Sequence, residues 1–260
     1  MGYRTLKLEK KGHVATVRLA RPEHGNPIDR ALLAELDDAC ASINDAADVR
    51  VVLLTAEGET FSSGWDAAEL APEGFDANEW RRRREQSPPF ACLESLGQPA
   101  ICALNGDAAS AGLELALACD VRVASAGARF SLPETGLGLL PMAGGTQRLP
   151  RLVGPGEALR LLLLGEVIDA QEALRVGLVS AVHPRDKLLA EAETLAQRMA
   201  SRGPIALRYA KEAVRRGLEQ PLDQALRFET DLTVILQTTE DRAEGVRAFL
   251  EKRGPEFKGR

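Results

Sequence analysis

An α/β core followed by an all-helical extension is the fold class that the sequence predicts, and two observations predict it. Apolar runs of strand length alternate with stretches of helical period as far as Pro184. Beyond Pro184 only the helical period continues. Residues 1–200 are accordingly expected to form the core and residues 201–260 a helical extension, with the junction near Ser201 and Pro204.

Residues 14–19, with Val14, Val17 and Leu19, read as an early strand ended by the Arg21-Pro22 turn. Leu32, Leu33, Leu36, Ala39, Cys40 and Ile43 recur at spacings of three and four, which predicts an amphipathic helix over 29–44. The mostly apolar run 49–55 has the character of a strand buried on both faces. Residues 100–104 and 121–124 read as further strands on either side of an apolar helix around 113–118, and 128–132 and 179–182 complete the set. Pro155 suits the first turn of a helix that contains 158–164. Asp169 with Glu172 forms an Asp-x-x-Glu cap for the next one. Helices near 187–201, 204–218, 221–238 and 241–252 make up the rest.

Composition narrows the class of function. The chain carries 33 basic against 38 acidic side chains, a net charge of −5 that offers no basic face for nucleic acid and no polybasic signal for a membrane surface. No apolar run reaches bilayer length, and residues 1–11 lack an apolar signal core, so a cytoplasmic location is expected. Cys40, Cys92, Cys102 and Cys119 show no Cys-x-x-Cys spacing and sit among apolar neighbours, as packing residues do. His13, His24 and His183 show no metal-ligand spacing, so no metal is expected. The Arg81-Arg82-Arg83-Arg84 run fits a solvated helix face or loop; attraction of a phosphate-bearing ligand is the other reading. It lies in a stretch, 71–89, rich enough in turn formers and polar groups to read as a mobile flap beside a site.

Three segments stand apart from ordinary core sequence. In Thr60-Phe61-Ser62-Ser63-Gly64-Trp65-Asp66, small residues let a ligand approach the backbone closely. Leu104-Asn105-Gly106-Asp107-Ala108-Ala109-Ser110-Ala111-Gly112-Leu113-Glu114 reads as strand, small-residue turn and helix start. Phe130-Ser131-Leu132-Pro133-Glu134 is followed by a glycine-rich run to Gly145 and then Thr146-Gln147-Arg148-Leu149. Glu114 falls in a helix that is apolar all round, where a carboxylate is costly and its pKa is driven up towards a range useful for proton transfer. Taken alone, it fits a structural salt bridge or a helix edge as well as it fits catalysis. The N–H of Ala111, opening a helix, and that of Trp65, on a glycine turn, are candidates to stabilise an oxyanion, although a purely structural turn accounts for either motif at least as well. No Gly-x-Gly-x-x-Gly, P-loop or Gly-x-Ser-x-Gly pattern is present.

Together these segments resemble the crotonase (enoyl-CoA hydratase/isomerase) superfamily over nearly the whole chain, closest in motif to enoyl-CoA hydratase. The resemblance runs from Arg21-Pro22 and Asn26-Pro27, through residues 61–66, Asn105-Gly106 and residues 143–149, to residues 248–253. It implies a spiral of ββα units with a C-terminal helical trimerisation region, assembled as a homotrimer or a dimer of trimers. It implies an acyl-CoA substrate, no cofactor beyond that CoA, and water addition across the C2=C3 bond of a 2-enoyl-CoA, as in fatty acid metabolism. Glu114 and Glu134 take the positions of the acid/base pair, and the Trp65 and Ala111 N–H groups those of the oxyanion hole. The CoA arm is expected to pass His24, Gly25, Ser63, Gly64, Asp66, Ala67, Ala68 and Ser110, with Phe249 and Lys252 reaching it from a neighbouring subunit; a solvated helix lysine is the plain reading of Lys252. Trp65 stands where relatives usually carry a small residue, Ala111 where they carry glycine, and Ala68 where many carry lysine. The alternatives are another reaction of the superfamily, such as isomerisation or dehydration of a branched, cyclic or aromatic acyl-CoA, or a non-catalytic acyl-CoA-binding subunit.

Overall fold

The chain begins with a hairpin: β1 (Leu6–Lys11) pairs antiparallel with β2 (Val14–Leu19), and Gly12, at φ 59°, takes the left-handed position of the two-residue turn. The computed structural model describes residues 2–70 and 76–260, with Arg83 by its backbone alone. Strand β1 is absent from the sequence reading because it is an edge strand whose exposed lysines and glutamate blur the alternation. Helix α1 (Arg30–Asp45) starts where expected: the Asp29 carboxylate accepts the Leu32 N–H at 2.8 Å, and Leu32, Leu36, Ala39, Cys40 and Ile43 are buried.

Strand β3 (Val51–Ala56), buried at every position, leads through three short helices, α2 (Ala67–Leu70), α3 (Ala77–Gln86) and α4 (Ala91–Ser95), to β4 (Ala100–Leu104). The arginine run lies in α3, with Arg81 and Arg82 exposed and Arg84 half-buried. Residues 71–75 of the stretch read as a flap lie outside the described residues. Next come β5 (Ala108–Ala109), α5 (Ala111–Leu117), β6 (Val121–Ser125) and β7 (Arg129–Ser131). Then α6 (Gly145–Val153), α7 (Pro155–Leu164), β8 (Ile168–Asp169), α8 (Ala170–Arg175) and β9 (Ala181–His183) close the α/β part. Asp169 caps α8 by accepting the Glu172 N–H at 2.8 Å, as its spacing predicts. Helix α9 (Arg185–Ala200) and then α10 (Pro204–Gly217), α11 (Leu222–Gln237) and α12 (Glu240–Leu250) form the helical run after Pro184.

The described strands make two sheets. The larger has the order β1-β2-β3-β4-β6-β9, parallel from β2 onward; the smaller has the order β5-β7-β8. After β4 and again after β6 the chain adds a short strand to the small sheet before it turns into a helix or helical turn, which is the repeating unit of a spiral. Both faces of the large sheet are covered. Val51, Leu53, Ile101, Ala103 and Val123 pack on Leu188, Ala192, Ala196 and Ala200 of α9, while Val52, Leu54, Cys102 and Leu104 face the main core with α1 and α5. Buried Arg122 closes the end of α5, donating to the carbonyls of Cys119 at 2.7 Å and Ala116 at 3.3 Å and reaching Leu178 at 2.9 Å. Asp120 ties α10 to the core through Lys211 and Arg215, each at 2.9 Å.

Candidate active site

The site grows from two backbone segments lying side by side. Residues 61–66 run parallel to residues 107–111: Phe61 donates to the Asp107 carbonyl at 3.0 Å, Ala109 to that of Ser62 at 3.1 Å, and Ser62 pairs with Ala108. At the same offset Gly64 packs against Ser110, and Trp65 and Ala111 are the residues that follow them. The Gly64 carbonyl and the Asp66 N–H both bond to Ile28, at 2.7 and 2.8 Å, so backbone alternation turns the Trp65 N–H to the opposite side. Ala111 is the first residue of α5, where an N–H has no intrahelical acceptor. Neither N–H has a hydrogen-bond acceptor among the described residues.

Glycine lets these segments touch. A Cβ on Gly64, at φ 99°, would lie 2.8 Å from the Ala109 carbonyl oxygen, and one on Gly112 would lie 2.5 Å from the Ser62 Cβ. Asn26 fixes the approach from below: its side chain donates to the carbonyls of Glu57 and Thr60, both at 2.9 Å, and its own carbonyl accepts the Ser62 hydroxyl at 2.7 Å. Ser110, immediately before Ala111, is held at φ 52°, a left-handed backbone position that serine adopts only under such constraint. Its N–H goes to Ser131 of β7 at 3.0 Å, and its carbonyl takes the N–H groups of Leu113 and Glu114.

That pairing brings the two glutamates together. Glu114 sits in the first turn of α5, and Glu134 follows β7 by three residues; both side chains are essentially inaccessible, at 0% and 1% exposure. One oxygen of Glu114, Oε1, accepts the N–H groups of Ala143 at 2.8 Å and Gly145 at 2.7 Å. Its Oε2 and both oxygens of Glu134 have no hydrogen-bond partner among the described residues. Burial pushes the Glu114 pKa up to about 7; the two amides resist the rise, and the charge of Glu134 adds to it.

The loop that holds Glu114 is built for closeness. A Cβ on Gly145 would come within 3.1 Å of Glu114 Oε1, and Gly144, at φ 104°, has Arg148 where a Cβ would go. Arg148 in turn grips the Ala143 carbonyl and forks onto Glu94 with two bonds of 2.7 Å. The part of Ala143 and Gly145 as donors was not foreseen from sequence; the glycine pair before Thr146-Gln147-Arg148 was the only signal. The Trp65 indole, 7% exposed, lies under the guanidinium of Arg84, 4.9 Å from the ring centre.

The remaining expected residues divide into two groups. Gly25 adjoins Ser63, whose N–H bonds the Gly25 carbonyl at 2.8 Å, and Asp66 caps the turn into Ala67 and Ala68 by accepting the Ala68 N–H at 3.0 Å. With exposed His24 they form a ridge that leads to Gly64 and Ser110. Phe249 and Lys252 stand exposed on and just after α12, and no hydrogen bond, ion pair or ring contact ties either of them to the glutamates among the described residues. No group of three or more potential metal ligands occurs among the described residues.

This arrangement, two unengaged amides beside two buried carboxylates, is accompanied by clear kinship. The sequence profile of the family described as Enoyl-CoA hydratase/isomerase matches residues 9–260. The crotonyl-CoA hydratase of Syntrophomonas wolfei is 39% identical over 259 residues, covering 99% of both chains. The 2,3-dehydroadipyl-CoA hydratase of Escherichia coli K12 is 42% identical over 255 residues, 98% of this chain and 99% of the relative. The crystal structure of an enoyl-CoA hydratase from Bacillus anthracis superposes with a TM-score of 0.93 at 40% identity, covering 99% of this chain and all of that one. The chain belongs to the enoyl-CoA hydratase/isomerase family, and its fold is the crotonase fold that its motifs resemble.

Proposed function

We propose that the chain is an enoyl-CoA hydratase, a hydro-lyase that adds water reversibly across the C2=C3 bond of a 2-enoyl-CoA thioester. The Trp65 and Ala111 N–H groups receive the thioester oxygen. As charge moves onto that oxygen, C3 becomes electrophilic, and each such donor is worth roughly 3 kcal/mol in the transition state. Glu114 is the base. Its Oε1 is fixed by Ala143 and Gly145, so Oε2 is left to orient a water and take its proton as the oxygen bonds to C3. A pKa raised to about 7 leaves much of the carboxylate ionised at neutral pH while making it a better base than an exposed glutamate. Glu134 relays to C2 a proton taken up from solvent, and exchange with solvent releases the proton that Glu114 has accepted.

The observation that carries this reading is that three buried carboxylate oxygens and two neighbouring amides all lack a hydrogen-bond partner among the described residues. A binding subunit has no use for such an expensive arrangement. The two relatives named above carry the names of different acyl groups, so the pocket beyond C3 sets the substrate. CoA itself passes the ridge of His24, Gly25, Ser63, Asp66, Ala67 and Ala68 and meets Phe249 and Lys252 of a neighbouring subunit. The working unit is a homotrimer or a dimer of trimers, joined through residues 201–260; exposed Leu222, Leu226, Ile235 and Leu250 favour this. The described residues contain no helix long and apolar enough to cross a membrane. We assign the enzyme to the cytoplasm with no cofactor beyond its CoA substrate.

The test is loss of the conjugated enone absorbance on incubation with crotonyl-CoA. Glu114→Gln and Glu134→Gln are each expected to lower kcat by about 10²–10⁴-fold, the range of a positioned acid or base, with CoA-ester binding retained. Near-normal turnover in either variant rejects the assignment.

A further inference from the structure

Arg84 is the member of the arginine run that the reaction does not account for. Its neighbours Arg81 and Arg82 are exposed, but its own guanidinium is half-buried against two indoles, 4.9 Å from the centre of the Trp65 ring and 5.1 Å from that of Trp80. Nη1 donates to the Met142 carbonyl at 3.2 Å. Met142 directly precedes Ala143, the donor to Glu114, and the Glu114 charge is felt at Arg84. Arg84 therefore stands beside the loop that holds Glu114.

A half-buried guanidinium ordinarily meets a carboxylate, because its desolvation is otherwise uncompensated. Arg84 forms no ion pair among the described residues, and the nearby Glu69 is engaged by Arg30 at 3.2 Å. Both indoles pack against the guanidinium, and Nη1 donates to Met142. The Nε–Nη2 edge makes no hydrogen bond among the described residues. That edge offers two parallel N–H groups at the spacing of a carboxylate, the fork that arginine provides and lysine does not.

We propose that Arg84 is a specificity-determining residue whose Nε–Nη2 edge receives a carboxylate carried by the acyl group beyond C3, so that the preferred substrates are monothioesters of unsaturated dicarboxylic acids. This deepens the hydratase reading and rests on it for the position of the acyl chain. Stacking on Trp65 and Trp80 holds the fork in place before substrate arrives, which reduces the ordering cost of binding. It also gives a use to an indole at position 65, where the family resemblance leads one to expect a small residue.

The experiment compares five- and six-carbon 2-enedioyl-CoAs with neutral 2-enoyl-CoAs of equal carbon number, in the wild type and in Arg84→Met and Arg84→Lys. The wild type should favour the carboxylated substrates in kcat/KM. Arg84→Met should lower kcat/KM for them by roughly 10- to 100-fold, the value of a hydrogen-bonded charge pair, and change the neutral substrates less than about threefold. Arg84→Lys, which keeps the charge but loses the fork, should fall between. Calorimetric titration with saturated adipyl-CoA and hexanoyl-CoA reads the same preference without turnover. Carboxylate-dependent binding with no hydration of any substrate would sink the hydratase reading and leave Arg84 standing. Hydration with no carboxylate preference, or an equal loss on both substrate types in Arg84→Met with a common shift of the pH profile, would reduce Arg84 to a counter-charge for Glu114 and overturn the proposal.

Discussion

Helices α5 and α11 both carry many apolar residues and dispose of them in opposite ways. All seven residues of α5 are buried within the chain, Glu114 included. Helix α11 has sixteen residues, of which only Leu232 is buried, and it leaves Leu222, Leu226, Val234 and Ile235 exposed. The buried carboxylates and unengaged amides are thus assembled within one chain by backbone turns that tolerate almost no displacement, whereas the helical extension leaves apolar side chains exposed. The contrast predicts that the two regions fail differently when damaged.

The largest effect is expected where the turns touch. Gly64→Ala places a Cβ 2.5 Å from the Ser110 Cβ and 2.8 Å from the Ala109 carbonyl, at a φ of 99° that disfavours any side chain. The 61–66 and 107–111 segments must separate, which carries the Trp65 N–H away from that of Ala111. Steady-state rates on crotonyl-CoA should fall by roughly 10²–10³-fold, the cost of losing one oxyanion donor, while the assembly state stays unchanged. A variant with normal kcat would show that the two amides do not act as a pair.

The complementary break is in α11. Leu222→Asp with Leu226→Asp puts two charges one turn apart on one exposed face of the helix. If that face is a subunit contact, sedimentation velocity will show a smaller species than the wild type. KM for the CoA ester should then rise by several-fold, with kcat less affected, because Phe249 and Lys252 are proposed to reach the CoA of a neighbour. An unchanged sedimentation coefficient would remove α11 from the interface.

The same contrast explains what sequence alone can disclose. Strand 14–19, the helix from Asp29, the Asp169 cap and the apolar surroundings of Glu114 were legible because a local pattern or a neighbour within four residues determines them. Strands β5 and β8, two residues each, have no period to detect and exist only because β7 lies between them. Helix α6 was hidden by its glycine start and by Pro150. The amides of Ala143 and Gly145, which orient Glu114, lie about thirty residues further along the chain and become neighbours only when α5 and the glycine loop pack. Family resemblance located the glutamates; the physical reason that one oxygen is held and the other is free came from the fold.

The smallest effect bears on stability and sharpens the meaning of burial at α5. The Glu114 pKa rises from 4.5 to about 7 on folding, chiefly through loss of solvent. Between those values the folded chain keeps a proton that the unfolded chain has released, so stability declines as pH rises from about 4.5 to about 7 and stays lowered above it. The full displacement corresponds to about 3 kcal/mol as an upper bound. Glu114→Gln is neutral at every pH and escapes this cost. It should therefore unfold at higher denaturant than the wild type at pH 8, by about 1–3 kcal/mol, and the advantage should shrink towards pH 5. Over the same interval the wild-type kcat/KM should fall as pH drops through about 7, since a protonated Glu114 takes no proton from water. A variant less stable than the wild type at pH 8 would mean that the two amides favour the ionised form by more than burial disfavours it, and that Glu114 is a structural anchor before it is a base.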